Sequence, residues 1–298
     1  MNTPVPPATA TLATSAASAA SAASASSATS ELGHRMPTWF IPHGGGPCFF
    51  MDWKPSSPWD KMADYLKSQA ATLPEKPKGI VLVSAHWLES DVGVMNGAQP
   101  ELLFDYDGFP PHTYELKYPA PGSPALAQRV QDLLAQAGQA SHTNASRGYD
   151  HGMFIPMLLL FPEADIPVVQ VSLLKNLDPA AHLQLGQRLA ALRDEGILII
   201  GSGMSFHNMR GYGDPRFGPI SDTFDDWLTQ AVTAPAQERD QALTGWEAAP
   251  GARLCHPPRA EEHLLPLMVV AGAAGDDLGR KVFSDRVLET TLSGFTFG

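Results

Sequence analysis

Cysteine is scarce. The 298-residue chain has two, Cys48 and Cys255, too few for a disulfide framework, so stability has to come from a buried apolar core. Basic side chains are outnumbered: 20 Lys and Arg stand against 31 Asp and Glu, a formal charge of −11. That balance excludes a phosphate-tracking nucleic-acid binder, and no Lys/Arg cluster marks a local exception. Long apolar runs are missing too. Nothing approaches the roughly 20 uninterrupted apolar residues of a membrane span. These absences describe a reduced, cytoplasmic protein, a monomer or small homo-oligomer, that works on small molecules rather than on nucleic acid or a membrane.

The N-terminal stretch lacks what a fold needs. Residues Thr3 to Ser30 are almost wholly Ala, Ser, Thr and Pro, with no charge and no aromatic ring. Such a segment cannot bury enough apolar surface to offset the entropy of ordering it. It also lacks the basic start and compact apolar stretch of a signal peptide, and its first Arg is Arg35. The expected organisation is a disordered low-complexity tail over 1–34 and one folded domain over 35–298.

Within that domain, short apolar runs flanked by Gly, Pro or Ser predict strands at Thr38–Pro42, Gly79–Ser84, Ile166–Val171 and Gly196–Gly201. Continuous runs of this length suit strands buried on both faces. Between them, Ser123–Ala137 and Pro179–Glu195 place leucines at helical spacing, and further helices are expected at Ser221–Thr233 and Ala260–Ala273. The alternation predicts a single layered α/β domain, with a central, largely parallel or mixed sheet flanked by helices.

The chain holds ten histidines, and their placement is informative. Three predicted strands run into a segment carrying His: His43-Gly-Gly-Gly-Pro47, Ser84-Ala-His86-Trp87, and Gly201-Ser-Gly-Met-Ser-Phe-His207-Asn208. A lone His after a strand is usually an ordinary surface or hydrogen-bonded residue. Parallel strands, however, deliver equivalent loops to one rim of the sheet, where sites form in α/β proteins. The glycines after His43 permit positive φ and leave that backbone open to a ligand. They lack the spacing and the lysine of a phosphate-binding loop. His34, His142 and His182 read as ordinary solvent-facing or structural residues, and His256 as a loop residue.

In this setting the motifs form a series that resembles the class III, LigB-type extradiol ring-cleavage dioxygenases, in their DOPA 4,5-dioxygenase-like branch. The series comprises the His43 loop, Ser84-Ala-His86-Trp87, Tyr118-Pro-Ala-Pro-Gly122, Tyr149-Asp-His151-Gly152, Gly201-Ser-Gly203 with His207-Asn208, and Glu262-His263-Leu-Leu-Pro266-Leu267. The likeness runs from about Pro37 to the C-terminus and makes 35–298 an extradiol dioxygenase-like catalytic domain. It implies that His43, His86 and His263 ligate a divalent metal. It also implies that His207 is the acid/base and His151 a second active-site histidine. The chain departs from the pattern in reading His-Gly-Gly-Gly-Pro where many members have His-Gly-Ser-Pro. His112 and Tyr114, in the segment leading to Tyr118, are candidate substrate contacts, with Phe104, Tyr106 and Phe109 as candidate pocket walls.

The implied chemistry is extradiol opening of a catechol carrying a polar or aliphatic tail, DOPA- or caffeate-like, with O2, to a semialdehyde. Fe(II) is the expected metal, and Zn(II) fits the same neutral imidazoles, because ligand type alone does not select among Fe, Zn, Cu and Ni. Putting a third His where relatives carry a carboxylate raises the site charge by one unit, which a catecholate dianion would neutralise. Two other readings stay open at this point: a zinc hydrolase on the same three histidines, and a non-catalytic metal-binding protein. Asp150 and Glu262 flank site histidines and are candidates for orienting imidazole N–H groups.

Overall fold

Strands and helices alternate through most of the chain, and the strands join one mixed sheet. The computed structural model describes residues 1–4 and 34–298, so nearly all of the expected tail over 1–34 lies outside the described residues. Every element below belongs to the unit Gly33–Gly298. In chain order these are β1 (Thr38–Pro42), α1 (Asp60–Gln69), β2 (Gly79–Glu89), β3 (Val92–Met95) and α2 (Pro124–Gln136). Then come β4 (Ser141–Asn144), α3 (His151–Leu160), β5 (Val168–Leu174), α4 (Pro179–Leu189) and β6 (Ile197–Gly203). The remainder are α5 (Phe217–Thr233), α6 (Ala236–Thr244), α7 (Ala252–Cys255), α8 (Leu265–Ala274), β7 (Gly279–Val287) and β8 (Thr290–Phe297).

The eight strands lie in the order β4-β3-β5-β2-β6-β1-β8-β7. The centre, β5-β2-β6-β1, is parallel, while β3 and β8 join it antiparallel. The parallel strands are buried along nearly their whole length, as their apolar runs predict. Each fully buried Leu or Ile in β6 contributes about 1.5–3 kcal/mol by leaving water. Neighbouring residues on β1 show the two faces. Thr38 Oγ1 donates to Val270 O of α8 at 2.9 Å, whereas the Trp39 ring stacks on Phe161, just past α3. Successive strand side chains point to opposite sides, so α8 with α4 covers one face and α3 with α1 the other.

The structure departs from the expected elements where the local pattern was weak. β2 runs on to Glu89, past the expected end at Ser84, so His86 lies within a strand and not on a loop. Its register against β5 shifts between Val83 and Leu88. α8 begins at Leu265, which puts His263 in the preceding turn and not in a helix from Ala260. α5 starts at Phe217, before the expected Ser221. α3 had no amphipathic stripe to reveal it, because it is apolar on nearly every side and buried. The β7–β8 hairpin was also unexpected: of the nine β7 residues only Gly279, Phe283 and Val287 are buried, too sparse an alternation to read.

Candidate active site

The carboxyl ends of β1, β2 and β6 bring five histidines together. His43 follows β1, His86 lies within β2 near its carboxyl end, and His207 sits on the loop after β6. His151 opens α3, and His263 sits in the turn before α8. Ring centroids of His43, His86 and His263 are mutually separated by 4.9, 5.2 and 4.9 Å. One ring nitrogen from each falls within a sphere of contact in which all three atoms are within 4.8 Å of one another. The Nε2 atoms of His43 and His86 are 3.1 Å apart. His207 lies flat on His263, with centroids at 3.4 Å and planes 10° apart. His151 packs on His86 at 3.9 Å.

A proline one helix away sets the tautomer of His43. Pro156 in α3 has no N–H, so the Gly152 carbonyl, four residues back, lacks its helical donor. The Ser202 hydroxyl of β6 donates to that carbonyl. Having given up its only proton there, Ser202 Oγ accepts from His43, whose Nδ1 is 3.0 Å away. His43 therefore carries its proton on Nδ1, and its Nε2 lone pair faces His86. On the other side His263 Nδ1 donates to Glu262 Oε1 at 3.3 Å, which frees its second nitrogen in the same way. Of the two carboxylates expected to orient imidazoles, Glu262 does so.

Asp150 takes a different part. It caps α3, accepts from Ser84 Oγ at 2.7 Å and from Arg147 at 2.9 Å, and is also bonded to Gln170. Ser84 Oγ in turn accepts from the backbone N of His86 at 3.2 Å, so Asp150 holds the β2 backbone rather than a ring. Arg147 adds a contact to the His86 carbonyl and stacks over Trp87. Gly152 has to be glycine, since a Cβ there would strike Ser84 Oγ and the His86 ring. The carboxylate that does face His151 is Asp105, which sequence reasoning missed. Its Oδ1 accepts from both the backbone N of His151 (2.9 Å) and Nδ1 (2.7 Å). Nothing in the spacing signalled it, because 46 residues separate the pair.

The electrostatics keep His43, His86, His207 and His263 neutral. Burial, then the neighbouring imidazoles, pushes His43 and His263 well below the ordinary imidazole range. His86 is lowered by burial and then by His151. Burial, followed by His151, lowers His207 to about 4. Neutral imidazoles whose ring nitrogens converge to within 4.8 Å of one another are the donor arrangement that a divalent cation satisfies. The residues fit a three-histidine metal site.

Around the histidines lies a cavity of about 340 Å³, at the small end for ligand sites. Gly44, Gly45, Gly46, Trp53, Trp59, Phe109, Met209, Tyr212 and Leu288 line it along with His43, His86, His151, His207 and His263. Gly44 and Gly46 have the positive φ expected of the loop, at 80° and 53°, whereas Gly45 does not. His112 and Tyr114 are not among the lining residues. The His112 ring donates to Phe50 O at 3.0 Å, and Tyr114 packs on Phe104 and Tyr106. Of that segment Phe109 reaches the cavity, and Tyr106 lies against His151. Trp53, Trp59, Met209, Tyr212 and Leu288 arrive from loops far apart in sequence and carried no motif.

Comparison with known proteins agrees with this geometry. Residues 37–296 match the family described as the catalytic LigB subunit of aromatic ring-opening dioxygenase. The chain is 43% identical over 246 residues to a Beta vulgaris 4,5-DOPA dioxygenase extradiol, spanning 80% of this chain and 87% of that one. It is 37% identical to the Escherichia coli K12 protein of the same name, over 80% of this chain and 85% of the relative. It is 36% identical to the dioxygenase tasH of Hapsidospora irregularis, over 88% and 85% of the two chains. A solved Escherichia coli K12 structure, described as an uncharacterized protein, superposes with a TM-score of 0.72 at 30% identity, covering 89% of this chain and all of that one.

Proposed function

The chain belongs to the LigB family of aromatic ring-opening dioxygenases, in the branch of the 4,5-DOPA extradiol dioxygenases, and on that premise we propose that residues 35–298 open a catechol in the extradiol manner. The ring carbon–carbon bond beside the diol breaks, both atoms of O2 enter the product, and a ring-opened semialdehyde results. The substrate is a catechol with a polar or aliphatic tail, such as DOPA, caffeate or a homologue. The observation that supports this most strongly is the convergence of five histidines at the wall of one small cavity. His43, His86 and His263 each bring one ring nitrogen to within 4.8 Å of the others, which leaves His207 and His151 for proton transfer.

His43, His86 and His263 would hold Fe(II), which would supply the redox chemistry that couples the diol to dioxygen. His207 enters the reaction as a neutral imidazole, because burial keeps it unprotonated at pH 7. It accepts a proton from a catechol hydroxyl as the substrate docks, and returns it as the ring opens. His151 is held by Asp105 with its proton on Nδ1, so its other nitrogen is the one free to exchange protons. The apolar cavity walls keep bulk water from the reacting atoms. Within the described residues, no helix is long and apolar enough to cross a membrane.

Anaerobic reconstitution with Fe(II), followed by oxygen-uptake measurements over a panel of catechols, tests the reading. One O2 consumed per catechol, with a yellow product, is the expected result. Hydrolytic activity without oxygen uptake in the Zn(II)-loaded protein would replace it with a metallohydrolase.

A further inference from the structure

The mouth of the cavity is built against the grain of the sequence. β7 and β8 are joined by a two-residue turn, Leu288-Glu289, in which both residues have positive φ, 46° and 68°. Tight hairpin turns of this kind favour Asn-Gly or Asp-Gly, since bulky side chains are strained in the left-handed region. A leucine there is strained relative to the residues that suit the position. The tip is also tied down, because Gly213 N donates to Leu288 O at 2.7 Å. The consequence is that Leu288 lines the cavity of the five histidines.

Leu288 does not stand alone. Trp53 and Met209 line the same cavity, and all three are large apolar residues left in contact with solvent, at 39%, 38% and 72% exposure for Leu288, Trp53 and Met209. Phe109 and Trp59 continue the apolar wall inward. Among the described residues no Lys or Arg lines this cavity. The carboxylates nearest the histidines are Asp105 and Glu262, both of a sign that repels an anionic tail. Exposed apolar side chains clustered at a pocket rim mark a surface that a ligand covers.

The geometry points to a substrate class: a catechol bearing a neutral, apolar substituent, which Leu288, Met209 and Trp53 cover at the cavity mouth, with Leu288 as a specificity-determining residue. This rests on the ring-opening reading and sharpens it. Of the tails that reading allows, the aliphatic one is selected and the free amino acid of DOPA disfavoured. A carboxylate carried to this mouth would lose water and gain no cation in return. Strain kept at a site in this way is a reason to look for function there.

Two measurements on the metal-loaded protein test the inference. In the first, kcat/KM of the Fe(II) enzyme is compared for 4-propylcatechol, catechol and 3,4-dihydroxyphenylalanine. The propyl compound should exceed the amino acid by at least about tenfold, the discrimination an apolar pocket achieves for one or two carbons. Leu288→Asn, which suits the left-handed turn and so keeps the fold, should lower the propylcatechol-to-catechol ratio of kcat/KM about tenfold, mainly through KM. Leu288→Met should restore most of it. In the second, the non-turning Zn(II) form is titrated with the same compounds and read by quenching of Trp53 and Trp59 fluorescence. A ratio unmoved by Leu288→Asn, or a preference for the amino acid, overturns the proposal. If no catechol is opened but the Zn(II) form still prefers the propyl compound and loses that preference in Leu288→Asn, the apolar site stands and the ring-opening reading falls.

Discussion

Ser202→Ala is the substitution that most directly probes how the fold prepares the site. The hydroxyl it removes has two tasks, donating to the Gly152 carbonyl that Pro156 leaves unmatched, and accepting from His43 Nδ1. Both partners are buried, His43 to 1% exposure. Leaving one buried donor and one buried acceptor unpaired costs about 1–3 kcal/mol each, so the variant should lose about 2–6 kcal/mol of stability in all. The effect on metal should be separate and larger than its size suggests. Without an acceptor for Nδ1–H, His43 is no longer held to the tautomer that presents Nε2, and loss of such an orienting partner usually weakens metal affinity about 10–100-fold. Urea unfolding of the metal-free protein gives the first quantity. Competitive titration with a chelator, for Fe(II) under anaerobic conditions and for Zn(II) in air, gives the second. A dissociation constant within about twofold of the parent would refute the argument that Ser202 sets the tautomer of His43. A stability loss with no metal effect would confine Ser202 to matching the Gly152 carbonyl.

Replacing His43, His86 or His263 singly with Ala should bring bound Fe(II), measured per subunit, down to the adventitious level; full metal content in any one variant removes that residue from the ligand set. His207→Ala should keep its iron while kcat falls about 10²–10⁴-fold, the usual loss for a general acid–base group, and unchanged turnover would pass that role to His151. His182 supplies a pH prediction away from the site. It is fully buried in α4, accepts from Leu174 N and donates to Asp178 O, and burial lowers it to about 4. Because the folded protein holds it neutral, its contribution is present above pH 6.5, the ordinary value, and is lost as pH falls from there towards 4. That is a loss of about 3 kcal/mol, on the order of 1.4 kcal/mol per pH unit. Urea unfolding between pH 7 and 4 should show a slope that includes this contribution along with those of the buried site histidines. His182→Gln should lower it by about 1.4 kcal/mol per pH unit; an unchanged slope in that variant would place the acid sensitivity elsewhere.

The sequence alone determined the parallel centre of the sheet and the rim at which the site forms. Runs such as Ile197 to Ile200 are apolar at every position, and only a strand buried on both faces has use for that. Strands of one direction present their ends together, so the motif histidines after β1 and β6 were legible as neighbours before any distance was known. Ser123 and Pro124 marked the start of α2 by chemistry local to the helix, with Ser123 capping it. The fully apolar α3 and the sparse β7 gave no such period, and the sequence passed over both. What surrounds the histidines was hidden for a related reason. Asp105 meets His151, Ser202 meets His43, and Leu288 meets the cavity across separations of tens to hundreds of residues, through packing that no local pattern records. Pro156 shows the division within one residue. Its missing N–H is written in the sequence, but the Gly152 carbonyl it leaves free is answered by a serine from β6. Only the packing of α3 on β6 could decide which imidazole nitrogen would then be left to bind a metal.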